Sequence, residues 1–229
     1  PARTPFGWMK RRCLTQAADT IITLSLDQAL NLRKVFPRKQ VHFVPHGLDM
    51  AIPAQEDEMF GKRREQLKIV VVGSNYRNFD MLERIVDTRA SRRATFHLVG
   101  LDDKNRKRFQ GVTGVVCHDR LNSEQYEDLL RSSFVMALPL TFATANNALL
   151  EAHKFCLPSL CSDIPGVTDY ATGSTLFFDQ PAAFWRVFDQ LAQLNSSAYR
   201  EMCVRIHREA CARFSWEKVR QQIEDYYLN

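Results

Sequence analysis

The protein has 229 residues, of which 45% are hydrophobic and 25% are charged, and it carries a formal net charge of +5. These values are ordinary for a globular protein and allow one or two domains with a large core. No apolar run approaches the about 18–20 residues of a membrane-spanning helix, and the first residues have no signal-peptide pattern. We therefore expect a cytoplasmic protein. Because the sequence starts with Pro1 rather than Met, we also expect it to be part of a longer chain.

The cysteines and the excess of positive charge restrict the expected partners. The six cysteines include no CxxC pair and no Cys/His cluster, which predicts unpaired thiols in a reducing compartment and no zinc site. The basic residues occur in short groups, such as residues 10–12, 62–64 and 104–108. No RNA-binding aromatic motif or zinc finger accompanies them, so we expect no nucleic acid partner. Peripheral contact with anionic lipid head groups is an alternative role for this charge.

The first part of the chain alternates between helical and strand patterns. The predicted elements are a helix at residues 8–18, a β-branched strand at 20–25, a helix at 26–35 and a strand at 41–44. Residues 49–66 are polar, include Pro53 and end in a basic cluster, which predicts a linker or a domain boundary.

Beyond residue 67 the alternation becomes regular. The predicted strands are residues 68–73, 94–100, 115–117, 134–139, 158–162 and 176–178. The predicted helices are residues 79–88, 124–131, 146–154, 181–194 and 198–212, with a final helix that ends at residue 227. Residues 69–72 are apolar at successive positions, as in a strand that is covered on both faces. This order predicts an α/β fold, a Rossmann-like parallel sheet flanked by helices.

The loops that follow the strands hold the first candidate site residues, because ligands of open parallel sheets bind outside the carboxyl ends of the strands. Gly73 ends a strand and lets a ligand approach the backbone, and Arg77 precedes a helix, a combination suited to a diphosphate. A solvent-facing arginine explains the same pattern equally well. The loop lacks a GxGxxG motif, which disfavours NAD.

The loop after Pro139 leads directly into a helix. The N–H groups at the start of that helix lie at the positive end of its dipole and favour an anion. Glu151 follows one to two turns later, where a carboxylate can accept hydrogen bonds from both hydroxyls of a ribose. Taken alone, a surface acid at Glu151 and a capping pair at Asn146 and Asn147 explain this pattern slightly better.

The sequence ANNALLEAHKFCLPSLCSDIPG at residues 145–166 resembles the signature region of the GT-B glycosyltransferases of family 4. Further landmarks follow in that family's order, at residues 18–25, 44–49, 72–73, 98–100 and 214–216. They resemble the last strand of the N-terminal domain, the interdomain segment, two strands that end in glycine, and the start of the closing helix. The resemblance covers nearly the whole chain.

The resemblance implies two parts. Residues 1–48 are the remnant of an acceptor-side N-terminal domain with the interdomain linker, and residues 49–229 are a nucleotide-sugar-binding domain with a closing helix. The implied activity is a retaining transfer from a nucleoside diphosphate sugar, with this chain as the donor-binding part and without a metal or other cofactor. The implied donor-binding residues are Gly73, Arg77, His118, Ala145, Asn146, Asn147, Ala148 and Glu151.

Individual roles follow from the same resemblance. Glu151 is expected to hold the ribose hydroxyls, Arg77 to clamp the diphosphate, and Asn146 and Asn147 to lie where backbone amides meet the sugar and the distal phosphate. The stretch at residues 117–121, which includes His118, falls where the base is read. No residue is assigned a catalytic role.

The sequence also departs from the family pattern. The first acid of the family's E-x7-E motif is Ala143 here, an expected arginine is Ser74, and an expected interdomain asparagine is His46, for which we expect packing at the hinge. A non-catalytic nucleotide-sugar-binding or scaffolding module is therefore the main alternative, and a GT-B epimerase or phosphorylase is a weaker one. The base, the sugar, the acceptor and the oligomeric state stay open, as does the origin of the chain as a fragment, a split subunit or a silent module.

Overall fold

The computed structural model describes residues 18–50, 57–88 and 94–228, so the predicted helix at residues 8–18 lies almost entirely outside the described residues. The strands are β1 (Thr20–Thr23), β2 (Gln40–Phe43), β3 (Lys68–Val72), β4 (Thr95–Val99), β5 (Val115–Cys117), β6 (Val135–Leu138), β7 (Ser159–Ser162) and β8 (Leu176–Phe178). The helices are α1 (Leu26–Val35), α2 (Asp57–Gln66), α3 (Phe79–Asp87), α4 (Asp103–Phe109), α5 (Ser123–Ser132), α6 (Asn147–Lys154), α7 (Pro181–Gln193), α8 (Ser196–Phe214) and α9 (Trp216–Leu228). A short 3-10 helix spans Thr168–Tyr170.

The N-terminal elements form a β–α–β unit of their own. Strands β1 and β2 pair in parallel, from Thr20 opposite Gln40 to Thr23 opposite Phe43. Helix α1 connects them and begins at Ser25, whose side chain accepts a hydrogen bond of 3.2 Å from the N–H of Gln28. This two-stranded sheet is separate from the main sheet.

The main sheet has six parallel strands in the order β5-β4-β3-β6-β7-β8. The chain proceeds outward from β3 through β4 and β5, and then returns to the other side of β3 to continue through β6, β7 and β8. The strand order therefore reverses between β3 and β6. Such a reversal leaves a crevice at the carboxyl ends of the two central strands, because the loops after them diverge to opposite faces of the sheet.

Apolar layers cover both faces of the main sheet. In β3, Ile69 and Val71 pack into one buried cluster with Phe96, whereas Val70 packs into a second cluster with Met136. This alternation explains why β3 is apolar at successive positions, and it confirms the predicted Rossmann-like sheet with helices on both faces.

The 3-10 helix joins the N-terminal unit to the main domain. The carboxylate of Asp169 accepts a hydrogen bond of 2.8 Å from the N–H of Leu26. The hydroxyl of Tyr170 donates to the carbonyl of Leu24 at 3.0 Å and accepts from the N–H of His46 at 2.8 Å. One tyrosine thus fixes both β1 and the segment that follows β2.

The segment after β2 also contacts the last helix. The ring of His46 lies 5.5 Å from that of Trp216, and its Nδ1 donates to the carbonyl of Gly47 at 2.7 Å. Gly47 lies directly against the indole, since a Cβ at this position would come within 2.5 Å of it. The N–H of Leu48 donates to the carbonyl of Phe214 at 2.9 Å. His46 therefore packs at the junction, as expected.

Two helices occupy segments for which the sequence predicts none. Helix α2 lies within the predicted linker at residues 49–66, and helix α4 lies within the charged segment after β4. Each buries few apolar side chains, chiefly Phe60 in α2 and Phe109 in α4. A helix with so narrow an apolar stripe gives a weak periodic signal. No disulfide joins any of the five cysteines in the described ranges.

Candidate functional site

A cavity of about 340 Å³ opens where the strand order reverses. Residues 73–77 after β3 line one side, and residues between 140 and 148, after β6 and at the start of α6, line the other. We call it the switch-point cavity. Its lining includes Gly73, Arg77, Ala145, Asn146, Asn147 and Ala148, so the fold brings together six of the eight residues that the sequence predicts for the donor site.

Backbone hydrogen bonds hold the two walls of this cavity together. The N–H of Thr141 donates to the carbonyl of Tyr76 at 3.0 Å, and the N–H of Asn78 donates to the carbonyl of Pro139 at 2.8 Å. Gly73 has a φ of +78°, a conformation that favours glycine, and its N–H donates to the carbonyl of Val99 at 2.8 Å. The cavity walls are therefore set by the backbones of β3, β4 and β6.

The N-terminus of α6 lines the cavity and offers three N–H donor groups. The side-chain oxygen of Asn146 caps the helix by accepting from the N–H of Leu149 at 3.2 Å. The N–H groups of Asn147 and Ala148 belong to the first turn and so have no partner within the helix. Among the described residues, the buried Nδ2 of Asn146 also has no hydrogen-bond partner. Three N–H donor groups thus converge on a cavity at the positive end of a helix dipole.

Arg77 adds a positive charge to the opposite wall of the cavity, the wall formed by residues 73–77. Its Nε donates to the carbonyl of Val72 at 2.8 Å, and Nη1 donates to the carbonyl of Asn75 at 3.2 Å. These bonds fix the guanidinium in place at the edge of the cavity. Burial lowers the pKa of Arg77, but an arginine stays protonated at any physiological pH, so the wall stays cationic.

Glu151 lies on α6, beyond the part of the helix that lines the cavity. The hydroxyl of Tyr126, on α5, donates a short hydrogen bond to its Oε2. Burial raises the pKa of the Glu151 carboxyl, and the Tyr126 hydrogen bond and the charges of Lys154 and Arg77 act in the opposite direction. Burial also raises the pKa of Tyr126, which keeps the phenol a donor. The carboxylate retains lone pairs for further donors, since it can accept about four hydrogen bonds.

A second cavity, of about 310 Å³, lies on the other side of Tyr126. It is lined by residues 99–101 after β4, by residues 119–121 after β5, and by Arg106 and Tyr126. We call it the β4–β5 cavity. Arg106 fixes its outer wall by donating to the carbonyl of His118 at 2.7 Å and to the carboxylate of Asp119 at 2.9 Å. Tyr126 therefore connects Glu151 to the β4–β5 cavity, since it lines that cavity and donates to the Glu151 carboxylate.

His118 does not join the other predicted donor-site residues. Its ring stacks on that of His97, with Nε2 2.9 Å from Nδ1 of His97. Burial lowers the pKa of both rings, that of His97 to about 4, so both are neutral at pH 7. The side chain of His118 is thus held by its neighbour on β4, and only its backbone borders the β4–β5 cavity through Arg106.

Two residues of the site region are absent from the sequence-based expectations. Tyr126 is not among the predicted site residues, and nothing in the sequence links it to Glu151, 25 positions away. Arg63 is fully buried and donates to the carbonyls of Arg131, Cys156 and Phe155 at 2.5–3.0 Å. These carbonyls lie at the C-terminal ends of α5 and α6, so Arg63 fixes the two helices that carry Tyr126 and Glu151.

The part of the chain that the structure describes contains neither a candidate metal site nor a candidate membrane-spanning helix. No group of three or more His, Cys, Asp and Glu side chains there is placed to hold a metal ion. No helix there is long and apolar enough to cross a membrane.

The sheet order, the switch-point cavity and the helix N-terminus that faces it define a Rossmann-like α/β domain with a ligand cleft at the reversal of strand order. Residues 62–193 match the family model for glycosyl transferases group 1. Because this match covers more than half of the sequence, the chain belongs to the glycosyl transferases group 1 family. A search of curated proteins finds no significant match.

Solved structures show the same fold at low sequence identity. HepE from Anabaena, in complex with UDP and glucose, has a TM-score of 0.68 at 13% identity, over 93% of this chain and 63% of that chain. Sucrose-phosphate synthase from Thermosynechococcus elongatus has a TM-score of 0.79 at 17% identity, over 98% of this chain and 61% of that chain. The catalytic domain of starch synthase IV from Arabidopsis thaliana, bound to ADP and acarbose, has a TM-score of 0.70 at 12% identity, over 91% and 55%.

These matches establish the fold as that of the C-terminal domain of a GT-B glycosyltransferase, and they confirm the predicted resemblance at that level. The chain spans less than two thirds of the length of each of the three structures.

Proposed function

We propose that this chain binds a nucleoside diphosphate sugar and is the donor-binding part of a glycosyltransferase that acts with retention of configuration. The acceptor is a glycan, a lipid or a small molecule. The chain's first 48 residues then belong to the acceptor-side domain and linker, and residues 49–229 form the donor-binding domain. The observation that carries this proposal is the convergence of the α6 N-terminus, the unpartnered Nδ2 of Asn146 and the cationic Arg77 on one cavity.

The cavities and their polar groups support a position for each part of the donor. A diphosphate has the charge and the acceptor oxygens that the amides of Asn147 and Ala148 and the guanidinium of Arg77 require. A ribose attached to it reaches Glu151, whose carboxylate accepts from the hydroxyls while Tyr126 holds it in position. The base then lies in the β4–β5 cavity, against Tyr126.

The chemistry that these residues supply is electrostatic. When the bond between the sugar and the diphosphate breaks, negative charge develops on the leaving phosphate. Fixed N–H donors and a half-buried cation stabilise that charge without having to reorient, because α6 and the Arg77 hydrogen bonds already hold them in place. No metal is needed for this role, and we propose that none takes part.

A second candidate function rests on one residue. Ala143 lies in the loop that lines the switch-point cavity, at the position of the family's first acid. Without that carboxylate the chain is also compatible with a non-catalytic nucleotide-sugar-binding or scaffolding module. Release of nucleoside diphosphate from the sugar donor by the full protein distinguishes an enzyme from a scaffold, since a scaffold binds the donor without consuming it.

Calorimetric titration with UDP, ADP and GDP tests the proposal. We expect one of the three to bind, and Glu151→Ala to weaken that binding at least about tenfold, or 1.4 kcal/mol. Glu124→Gln, which removes an exposed carboxylate from α5, is the matched control and should leave the affinity unchanged. Absence of binding by all three nucleotides, or equal affinity of the wild type and Glu151→Ala, would contradict the assignment of this site.

The base and the cellular location follow from further measurements. The preferred nucleotide in the titration identifies the base.

We propose a cytoplasmic location with peripheral contact at the membrane through the basic groups. Co-sedimentation with vesicles that contain anionic lipids, compared with neutral vesicles, tests that contact.

A further inference from the structure

The rim of the switch-point cavity carries two exposed aromatic rings that the roles above do not use. Tyr76, which follows β3, is 52% exposed, and Phe142, which follows β6, is 49% exposed. Their ring centroids are 5.1 Å apart and their planes are inclined by 64°, an edge-to-face arrangement. In the described part of the chain, Trp216 is the other strongly exposed aromatic side chain, and it covers Gly47 at the domain junction.

The backbone fixes this aromatic pair at the rim. Tyr76 has a φ of +57°, a left-handed conformation that is unfavourable for a bulky residue. Its carbonyl accepts hydrogen bonds from both the N–H and the hydroxyl of Thr141, at 3.0 and 3.2 Å. Thr141 immediately precedes Phe142, so these bonds hold both rings together above the cavity.

We propose that Phe142, with Tyr76 against its edge, binds the sugar ring of the donor by packing against the C–H face of that ring. This inference rests on the proposed nucleotide-sugar site. In that site the base, ribose and diphosphate extend from the β4–β5 cavity past Glu151 to the start of α6. The sugar attached to the diphosphate then lies in the switch-point cavity, whose lining includes Tyr76 and Phe142.

The chemistry of the cavity supports a neutral hexose as the occupant. The face of an aromatic ring is electron-rich and attracts polarised C–H groups, which a hexose presents on its apolar face. The lining of the switch-point cavity contains no Asp or Glu among the described residues, and position 143 is alanine. Stacking therefore takes the place of carboxylate contacts, and Ser74 and Thr144 offer hydroxyls to the rim of the sugar.

The test compares each nucleoside diphosphate with its sugar conjugate. Calorimetric titrations of the wild type, Phe142→Ala and Phe142→Tyr use UDP and UDP-glucose, ADP and ADP-glucose, and GDP and GDP-mannose. We expect Phe142→Ala to weaken binding of the sugar conjugate about threefold to tenfold, while the affinity for the free diphosphate changes less than about twofold. Phe142→Tyr keeps the ring and should bind both as the wild type does. Since Phe142 is half-exposed, the alanine variant should fold normally.

Several results would overturn the inference. If Phe142→Ala weakens the diphosphate and its sugar conjugate equally, the ring only shapes the cavity. If it weakens neither, the ring does not contact the donor sugar. If the wild type binds no nucleoside diphosphate, the proposed function fails first and this inference fails with it. Binding of the free diphosphate in every variant, without a selective loss for the sugar conjugate, overturns this inference alone.

Discussion

Replacing Arg63 with methionine tests whether one buried charge fixes the two helices of the site. The guanidinium donates to three backbone carbonyls at the ends of α5 and α6, at 2.5–3.0 Å, and it is fully buried. Methionine fills the space of the aliphatic stem but leaves the three carbonyls without their donor. Each buried acceptor left without a partner costs at least about 1 kcal/mol, so we expect the three carbonyls together to cost about 3–5 kcal/mol of unfolding free energy.

Urea denaturation followed by circular dichroism measures this cost. With a slope of about 2–3 kcal/mol per molar urea for a domain of this size, we expect the midpoint of Arg63→Met to fall by about 1–2.5 M. The midpoint of Arg63→Lys, which retains one donor group, should lie between those of the wild type and Arg63→Met. Arg84→Met removes a surface arginine from α3 and should stay within about 0.5 kcal/mol of the wild type. An Arg63→Met variant as stable as Arg84→Met would refute the reasoning.

Three further changes probe the loops and helices around the site. Tyr126→Phe removes the donor that favours the charged form of Glu151, so the pKa of this carboxyl should rise. As the pH is lowered from 8 to 5, the nucleotide affinity measured by titration should therefore start to fall at a higher pH than in the wild type. Gly166→Ala places a Cβ 2.3 Å from a backbone oxygen of the loop after β6, so it should lower the thermal midpoint more than Gly111→Ala, which has a similar positive φ but open space around it. Burial lowers the pKa of His153 to about 3, below its unfolded value near 6.5, so stability is lost as the pH falls through that range. His153→Phe removes its two unpartnered buried nitrogens, and urea melts at pH 7 and 5 should show higher stability and a smaller acid loss.

The sheet and its ligand edge could be predicted because buried strands carry a strong local signal. Residues 69–72 have no polar position, and the loops after such strands meet at one edge of a parallel sheet. Helix α6 was predicted from residue 146, and Asn146 is its cap. The helix predicted at residues 124–131 is α5, which begins one residue earlier, after its cap Asn122.

Contacts between distant helices left no such signal. Tyr126 and Glu151 each fit an amphipathic helix, and only the arrangement of α5 and α6 in the fold brings their side chains into contact. Arg63 lies in a charged segment that resembles a linker, because a buried arginine looks like a surface residue in sequence. The position of the His118 ring is set by its contact with His97 on the adjacent strand. That contact depends on the register of β4 and β5, which the sequence does not reveal.

The most direct test of the central claim is a crystal structure of the protein with the nucleoside diphosphate that binds best in the titration. We expect the phosphate oxygens within about 3 Å of the N–H groups of Asn147 and Ala148, as hydrogen bonding requires. The ribose hydroxyls should contact Glu151 and the base should occupy the β4–β5 cavity. A nucleotide bound elsewhere on the molecule, or one whose phosphates lie away from the N-terminus of α6, would contradict the account.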